Sequence, residues 1–518
     1  VVNAQPSQTP VPAVPSGEDR GAVPDPVEPS AEQTHAVQSQ VAPLAGARSD
    51  LTFAQLTTLR VGGPIATYVE AHSEDELVAI VQYADEQGIE LLVLGGGSNL
   101  VPSDEGFAGI VVRDARTGVR VDLVDSCGGG SVTVVAGHNW DDFVVRSIAE
   151  GWVGIESLIG IPGTVGAAPV QNIGAYGAEV SNVISSVRVY DRGQQRKRTF
   201  ALFELGFGYR DSIIKQSMTR GDDTGRIWGP SPRYVVLDVS FQFRLGTRSA
   251  PVEYSELARR LGIEVGDRAP ARDIAQAVLE LRAGKGMLVD AFDRPMVANT
   301  AGARGTLPRA LRDASMDDII SGQVAGQVAG QAEPTHVPNA VNESAASSGL
   351  AVNSEAACGP LTSNGSNFDL SFADEDSVHS DEPDFDRWSA GSFFTNPIIA
   401  AQQADQLPQG APRYPVHTVA PSATTGPSTG AIDETLVKTS AAWLIQHAGF
   451  DRGFGAQGAG SRATLSTRHT LALTNRGGAT AADIRALAQV IRDGVYKEFG
   501  IQLEPEPVVL GQPLRSRP

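Results

Sequence analysis

Three short segments of this sequence carry side chains that could do chemistry. Arg210 in GYRDS (208–212) stands between an aromatic and an acidic neighbour, where a guanidinium fork could grip a carboxylate. Ser392 in SAGSFFTNP (389–397) follows small residues and precedes two phenylalanines. A hydroxyl in so dry a pocket could donate a proton, provided that something compensates the alkoxide left behind. Glu506 in LEPEP (503–507) follows a proline, whose stiffness would fix where the carboxylate points. Taken singly, each also fits an ordinary structural role. No G-x-S-x-G elbow surrounds Ser392, which argues against a hydrolase nucleophile.

Two glycine-rich segments could hold a ligand near such groups. GGGSN (95–99) directly follows an apolar run. Its glycines let the backbone come close to a ligand, and successive N–H groups could nest a pyrophosphate. A tight turn between strands is the alternative. It is not the G-x-G-x-x-G fingerprint, since no helix clearly starts there. ESLIGIPGTVGAAPVQNIGAYG (156–177) is almost uncharged. A loop this apolar should pack against a large, flat, partly apolar ligand, or else cross the core.

The elements that must position these groups can be read from periodicity. Ser73 to Glu76 form a capping box, Leu77, Ile80, Val81 and Ala84 follow at helical spacing, and Gly88 ends the helix. Apolar runs at 89–94, 108–113 and 132–137 predict strands. Asn139 caps a helix that Gly151 closes, and Thr480 caps one with Ile484, Leu487, Ile491 and Val495 on one face, ended by Gly500. Residues 501–510 read as a closing strand interrupted by prolines. Residues 1–45 lack any period and read as a disordered tail. Residues 295–383 contain the repeat GQVAGQVAGQ and an acidic cluster and read as a disordered insertion, dispensable for catalysis from about Thr300 to Glu382. Shorter soft insertions are expected near 218–232 and 418–432.

Bulk properties narrow the class. A chain of 518 residues allows two to four domains. A net charge of −19 disfavours nucleic acid as a general partner, though not a small anionic substrate. No run approaches the roughly 18 apolar residues of a membrane span, and no secretory signal is expected at the N-terminus. The only cysteines, Cys127 and Cys358, lack metal-type spacing and fit a reducing cytoplasm. No metal is expected.

Taken in order, TTLRVGG (57–63), LGGGSNL (94–100), the 156–177 loop, GYRDS, GKGM (284–287), GSFFTNP, AAWLI (441–445) and LEPE resemble the UDP-N-acetylenolpyruvoylglucosamine reductase (UDP-N-acetylmuramate dehydrogenase) family. The resemblance runs from about Leu51 to Gly511. It implies an α+β protein with a three-domain FAD-binding fold of the vanillyl-alcohol-oxidase/p-cresol-methylhydroxylase type and a substrate-binding domain. The implied bounds are 46–125 (completed by 503–518) and 126–294 for the two FAD subdomains, and 384–502 for the substrate domain. It also implies non-covalent FAD, NADPH as reductant and UDP-N-acetylglucosamine enolpyruvate as substrate, in peptidoglycan precursor synthesis, with a monomer expected.

By the same resemblance, Arg210, Ser392 and Glu506 are catalytic, with Ser392 the proton donor. Arg60, Gly62, Gly95, Gly96, Gly97, Ser98 and Asn99 would hold FAD from one side. Ile161, Pro162, Gly163, Gly166, Ala167, Gln171, Asn172 and Gly174 would hold it from the other. Tyr176, Tyr254, Lys285 and Asn396 would bind substrate, with Tyr254 (in APVEYSEL) the tyrosine that closes over it. Thr395 departs from members that have lysine there, and the long insertion before Ser392 is a second departure. Two rivals stand beside this reading. One is another flavin oxidoreductase of the same scaffold, with His138 the nearest candidate for covalent attachment. The other is a non-catalytic scaffold protein, against which the intact Arg210, Ser392 and Glu506 set argues.

Overall fold

The computed structural model describes residues 43–125, 128–288, 383–419, 429–458 and 460–515. The expected tail and long insertion fall almost wholly outside these. The first layer is a three-stranded parallel sheet, with Phe107–Asp114 between Ile65–Ala71 and Leu91–Leu94. Parallel strands need a crossover, and the helix Glu74–Gln87 supplies the one from Ile65–Ala71 to Leu91–Leu94. Ser73 accepts from the Glu76 N–H, while the Glu76 carboxylate reaches back to the His72 N–H at 2.7 Å, one residue before the cap. Gly88 closes the helix in the left-handed region (φ 64°). Leu77, Ile80, Val81 and Ala84 are buried against the sheet, as their spacing predicts.

The second layer is antiparallel. Its strands run Arg196–Ala201, Ile184–Asp191, Tyr234–Leu245, Gly129–Val135 and Val119–Asp125, with Trp152–Val153 pairing onto the end of Tyr234–Leu245. The helix Trp140–Ala149, capped by Asn139, packs Phe143 against Phe241 and Phe243. The soft insertion expected over 218–232 is instead an ordered loop. Its charges do not face water alone. The Arg233 guanidinium is buried between Asp191 (2.7 Å) and Asp222 (3.1 Å), and the buried Trp228 donates its indole N–H to Asp222 at 2.7 Å. Sequence composition reports charge but not pairing, so the loop looked more soluble than it is.

The C-terminal region builds a third core. An antiparallel sheet of Ser389–Ser392, Ala472–Asn475 and Ala463–Leu465 lies with the helices Ala441–His447 and Ala481–Phe499. Ile484, Leu487, Ile491 and Val495 are fully buried here beside Phe393 and Phe394. Thr480 and Asp483 cap the long helix reciprocally. Strand pairing extends into the insertion expected near 418–432, joining His417 to Ile432, and residues 420–428 lie outside the described set. This core also takes in Leu59, Val61 and Val101 from the N-terminal region. The Asp104 carboxylate accepts from the N–H groups of Ala481 and Ala482 (2.7 and 2.8 Å), a favourable place for an anion at a helix start.

The expected closing strand shrinks to Val508–Val509, which pairs in parallel with Leu100–Val101. Pro505, Pro507 and Pro513 lack the N–H that a longer ladder needs. Among the described residues, no helix is long and apolar enough to cross a membrane.

Candidate active site

A cavity of about 500 Å³ opens where the three cores meet. Both glycine segments line it. They cross so closely that a Cβ on Gly96 would lie 2.7 Å from the Gly163 Cα. Gly97 has φ 64°, and a Cβ there would overlap the Leu56 carbonyl. Ser98 fastens the crossing by donating to the Pro162 carbonyl at 2.8 Å. Among the described residues, the N–H groups of Gly96, Gly97 and Ser98 reach no acceptor. Three successive donors beside an apolar wall of Leu94, Ala136 and Val236 suit a large planar ligand with an anionic bridge. The residues present therefore fit FAD.

Arg210, Ser392 and Glu506, remote in sequence, all line the same cavity. Arg210 sits in a tight turn in which Gly208 and Asp211 exchange backbone hydrogen bonds (3.0 and 3.2 Å), and its own backbone is left-handed (φ 54°). Such a conformation costs a non-glycine residue about 1–3 kcal/mol and concentrates at functional sites. The guanidinium donates to the carbonyls of Asn172 (3.3 Å) and Gly174 and pairs through Nε with Glu506 at 3.2 Å. A guanidinium has about five N–H groups, so donors remain for an incoming carboxylate.

Glu506 is held by its neighbours in sequence and in space. Its N–H donates to the Phe393 carbonyl at 2.8 Å, and the Thr395 N–H donates to Glu504 at 3.0 Å, so the Ser392 and Glu506 segments run side by side. Gln171 donates to its Oε1 at 3.2 Å and accepts from Asn99 at 2.9 Å. Burial pushes the Glu506 carboxyl above the ordinary range, against the pull of Arg210 and Lys215. Ser392 ends the strand Ser389–Ser392, and the rings of Phe393 and Phe394 that follow it are fully buried.

Two family models match the chain: an FAD binding domain over residues 65–196, and the C-terminal domain of UDP-N-acetylenolpyruvoylglucosamine reductase over residues 382–510. Curated reductases of that name are similar over nearly the whole length. That of Cutibacterium acnes is 40% identical across 89% of this chain and 90% of its own. That of Thermobifida fusca is 38% identical across 89% of this chain and 97% of its own. That of Nocardia farcinica is 37% identical across 90% of each chain. The chain belongs to the UDP-N-acetylenolpyruvoylglucosamine reductase family.

As a reductase of this family, the chain places most of its expected cofactor and substrate residues around the cavity. Gly95 to Asn99, Ile161 to Gly163, Gly166, Ala167, Gln171 and Gly174 line it, as do Tyr176, Tyr254, Lys285 and Asn396. Three expected cofactor residues stand behind the wall instead. The Arg60 guanidinium lies 4.8 Å from the Trp388 ring centroid. A Cβ on Gly62 would strike Pro102. Asn172 is buried, donating to Glu179 (2.7 Å) and Gly208 (3.0 Å) and accepting from the Ser181 N–H at 3.1 Å. The TTLRVGG segment thus braces the Ser392 strand. Thr58 donates to the Ser389 carbonyl at 2.7 Å, and Asn475 donates to Leu59 and Arg60 at 3.1 Å.

Three of the expected substrate residues of the reductase, Tyr176, Tyr254 and Lys285, lie together in the cavity. Tyr176 meets Tyr254 edge-on at 5.6 Å, and Lys285 lies 5.4 Å from the Tyr176 centroid while pairing with Glu256 at 2.7 Å. Tyr254 is 43% exposed. Burial pushes the Tyr176 phenol up to about 12, so it stays a neutral donor. Asn396 accepts from the Ala441 N–H at 2.9 Å, which orients its amide. Sequence reasoning passed over Tyr209, Lys215, Arg282 and His469, which also line the cavity. Lys215 follows Arg210 within GYRDSIIK, and only helical geometry folds it back.

His138 does not line the cavity, and its buried Nδ1 has no hydrogen-bond partner among the described residues. Burial pushes His138 and His469 each down to about 4, with the cations Lys285 and Arg452 adding to the effect at His469. The unfolded histidines protonate near 6.5 while the folded ones resist, so stability is full above that pH and falls as pH drops toward 4. We expect denaturation midpoints to decline across this window. His138→Gln should remove part of the slope, as read from urea titrations at stepped pH. A midpoint that stays flat would contradict the buried neutral assignment.

Proposed function

We propose that the chain reduces UDP-N-acetylglucosamine enolpyruvate to UDP-N-acetylmuramate, with NADPH as reductant and FAD as cofactor, in the supply of peptidoglycan precursors. The observation that carries this is the convergence of Arg210, Ser392 and Glu506 on one cavity walled by both glycine segments. When bound, FAD supplies two-electron hydride chemistry between NADPH and the enolpyruvyl double bond. The segments that cross at Gly96 and Gly163 would hold it, with the N–H groups of Gly96 to Ser98 available to an anionic group. Arg210 grips the substrate carboxylate. As charge builds on the carbon beside that carboxylate, Arg210 stabilises it without reorganising, with Glu506 holding the guanidinium in place. Ser392 then gives its proton to that carbon. The rings of Phe393 and Phe394 keep competing water away.

Tyr254 and Lys285 read as the residues that close over and hold the sugar nucleotide. Residues 46–125 with 503–518, and 126–294, read as the two FAD subdomains, and 384–502 as the substrate domain. Leu503 and Leu514 also enter the substrate-side core, so the last segment serves both. Location in the cytoplasm follows from the cysteine usage and the substrate class, and the working unit reads as a monomer.

The test is spectroscopic. The purified protein should carry FAD that acid releases. Anaerobic NADPH should bleach it, and enolpyruvyl sugar nucleotide should restore the colour while UDP-N-acetylmuramate appears by mass spectrometry. Protein that binds no flavin after reconstitution, or whose bleached form the substrate leaves unchanged, would defeat the proposal.

A further inference from the structure

Lys215 occupies a costly place. It is the third residue of the helix Ile213–Thr219, where its N–H donates to the capping Ser212 at 3.2 Å. A cation in the first turn opposes the helix dipole. Burial pushes its ammonium pKa down, and the nearby Arg210 and Arg220 push the same way, while Glu506 and Asp211 oppose them. Its Nζ donates to the Arg210 carbonyl at 3.1 Å. The helix start is itself pinned, because the Ser212 hydroxyl donates to the Val170 carbonyl at 2.5 Å. Lys215 is thus a short strut from the 156–177 segment to the left-handed turn that carries Arg210.

We propose that Lys215 is a positioning residue for the reductive step: its ammonium clamps the Arg210 turn by the carbonyl and shares the Glu506 charge, so that the Arg210 guanidinium stays free to take the substrate carboxylate. The inference rests on the reductase reading above. Its charge logic is simple. Arg210 pairs with Glu506 at 3.2 Å, and Lys215 brings a second cation to bear on the same carboxyl, so Arg210 does not carry the Glu506 charge alone. Without Lys215, Arg210 would be left to neutralise Glu506 alone, in a strained turn that has lost the clamp on the Arg210 carbonyl.

The variants must keep volume. Lys215, Met218 and Glu506 border both the main cavity and a second hollow of about 750 Å³, so a truncated side chain would join the two. Lys215→Met preserves length and removes the charge. It should retain its flavin and bleach with NADPH within about three-fold of the parent rate. Colour recovery on adding substrate should slow about ten- to a hundred-fold, the range for losing a hydrogen bond to a charged group. Binding of the enolpyruvyl sugar nucleotide to the oxidised protein, followed by the flavin difference spectrum, should weaken about ten-fold. Lys215→Arg, which keeps a charged donor, should recover at least part of both losses.

Normal recovery and normal binding in Lys215→Met would overturn the inference. So would equal slowing of bleaching and recovery, the mark of a merely structural role. If Lys215→Met does not fold, Lys215→Arg decides, and loss of substrate binding with the charge retained counts against the inference. A parent protein that neither bleaches nor recovers would instead defeat the reductase reading itself.

Discussion

Ser392→Ala should bleach with NADPH at close to the parent rate and then recover its colour with substrate about 10²–10⁴-fold more slowly, the contribution of a positioned general acid. The split follows from where the proton is needed. Reduction by NADPH asks for no proton from this serine. Saturating the enolpyruvyl double bond does, at the carbon beside the carboxylate. Without the hydroxyl, water must do the work in a site backed by Phe393 and Phe394, each only 1% exposed. Stopped-flow absorbance of each half-reaction reads the result directly. The fold should survive, because the backbone of this strand is held by its pairing with Ala472–Asn475. Slowed bleaching with intact recovery would overturn the assignment of the proton donor.

Arg210→Ala should slow the same recovery by about 10²–10³-fold, the cost of removing one preorganised stabilising donor from an active site. It should also raise the substrate KM, since the carboxylate loses its partner in the ground state as well. Flavin content should hold, because the guanidinium is tied to Asn172, Gly174 and Glu506 and not to the Gly95–Gly97 turn. Arg210→Lys should restore little. One ammonium cannot reach two carbonyls and a carboxylate while still facing substrate. Parallel loss of flavin and of both half-reactions would mean that Arg210 supports the fold rather than the chemistry.

Most of the local structure was legible in the sequence because it is governed by local rules. The helix after Ser73, the helix after Asn139 and the long helix after Thr480 appear with their caps and glycine stops in place. The apolar run at 108–113 lies within Phe107–Asp114, and the run at 132–137 begins within Gly129–Val135 and outruns it by two residues. The ordered loop over 218–232 escaped, because the pairing that holds Arg233 joins it to Asp191, about forty positions earlier in the chain. The closing strand was overestimated, because apolar residues between prolines look extended whether or not their N–H groups can join a ladder.

The residue types and their order by themselves determined the family, the flavin, and the candidate trio of Arg210, Ser392 and Glu506. Those depend on what a short segment can do, and a short segment carries that information with it. Only the tertiary structure decided how the trio is held. It set Arg210 in a left-handed turn against Glu506, moved Arg60, Gly62 and Asn172 from the cavity wall to the scaffold behind it, and brought Lys215 beneath the Arg210 carbonyl. The reason is physical. Which way a side chain faces depends on the backbone hydrogen bonds and buried partners around it, and here those partners come from segments hundreds of residues apart.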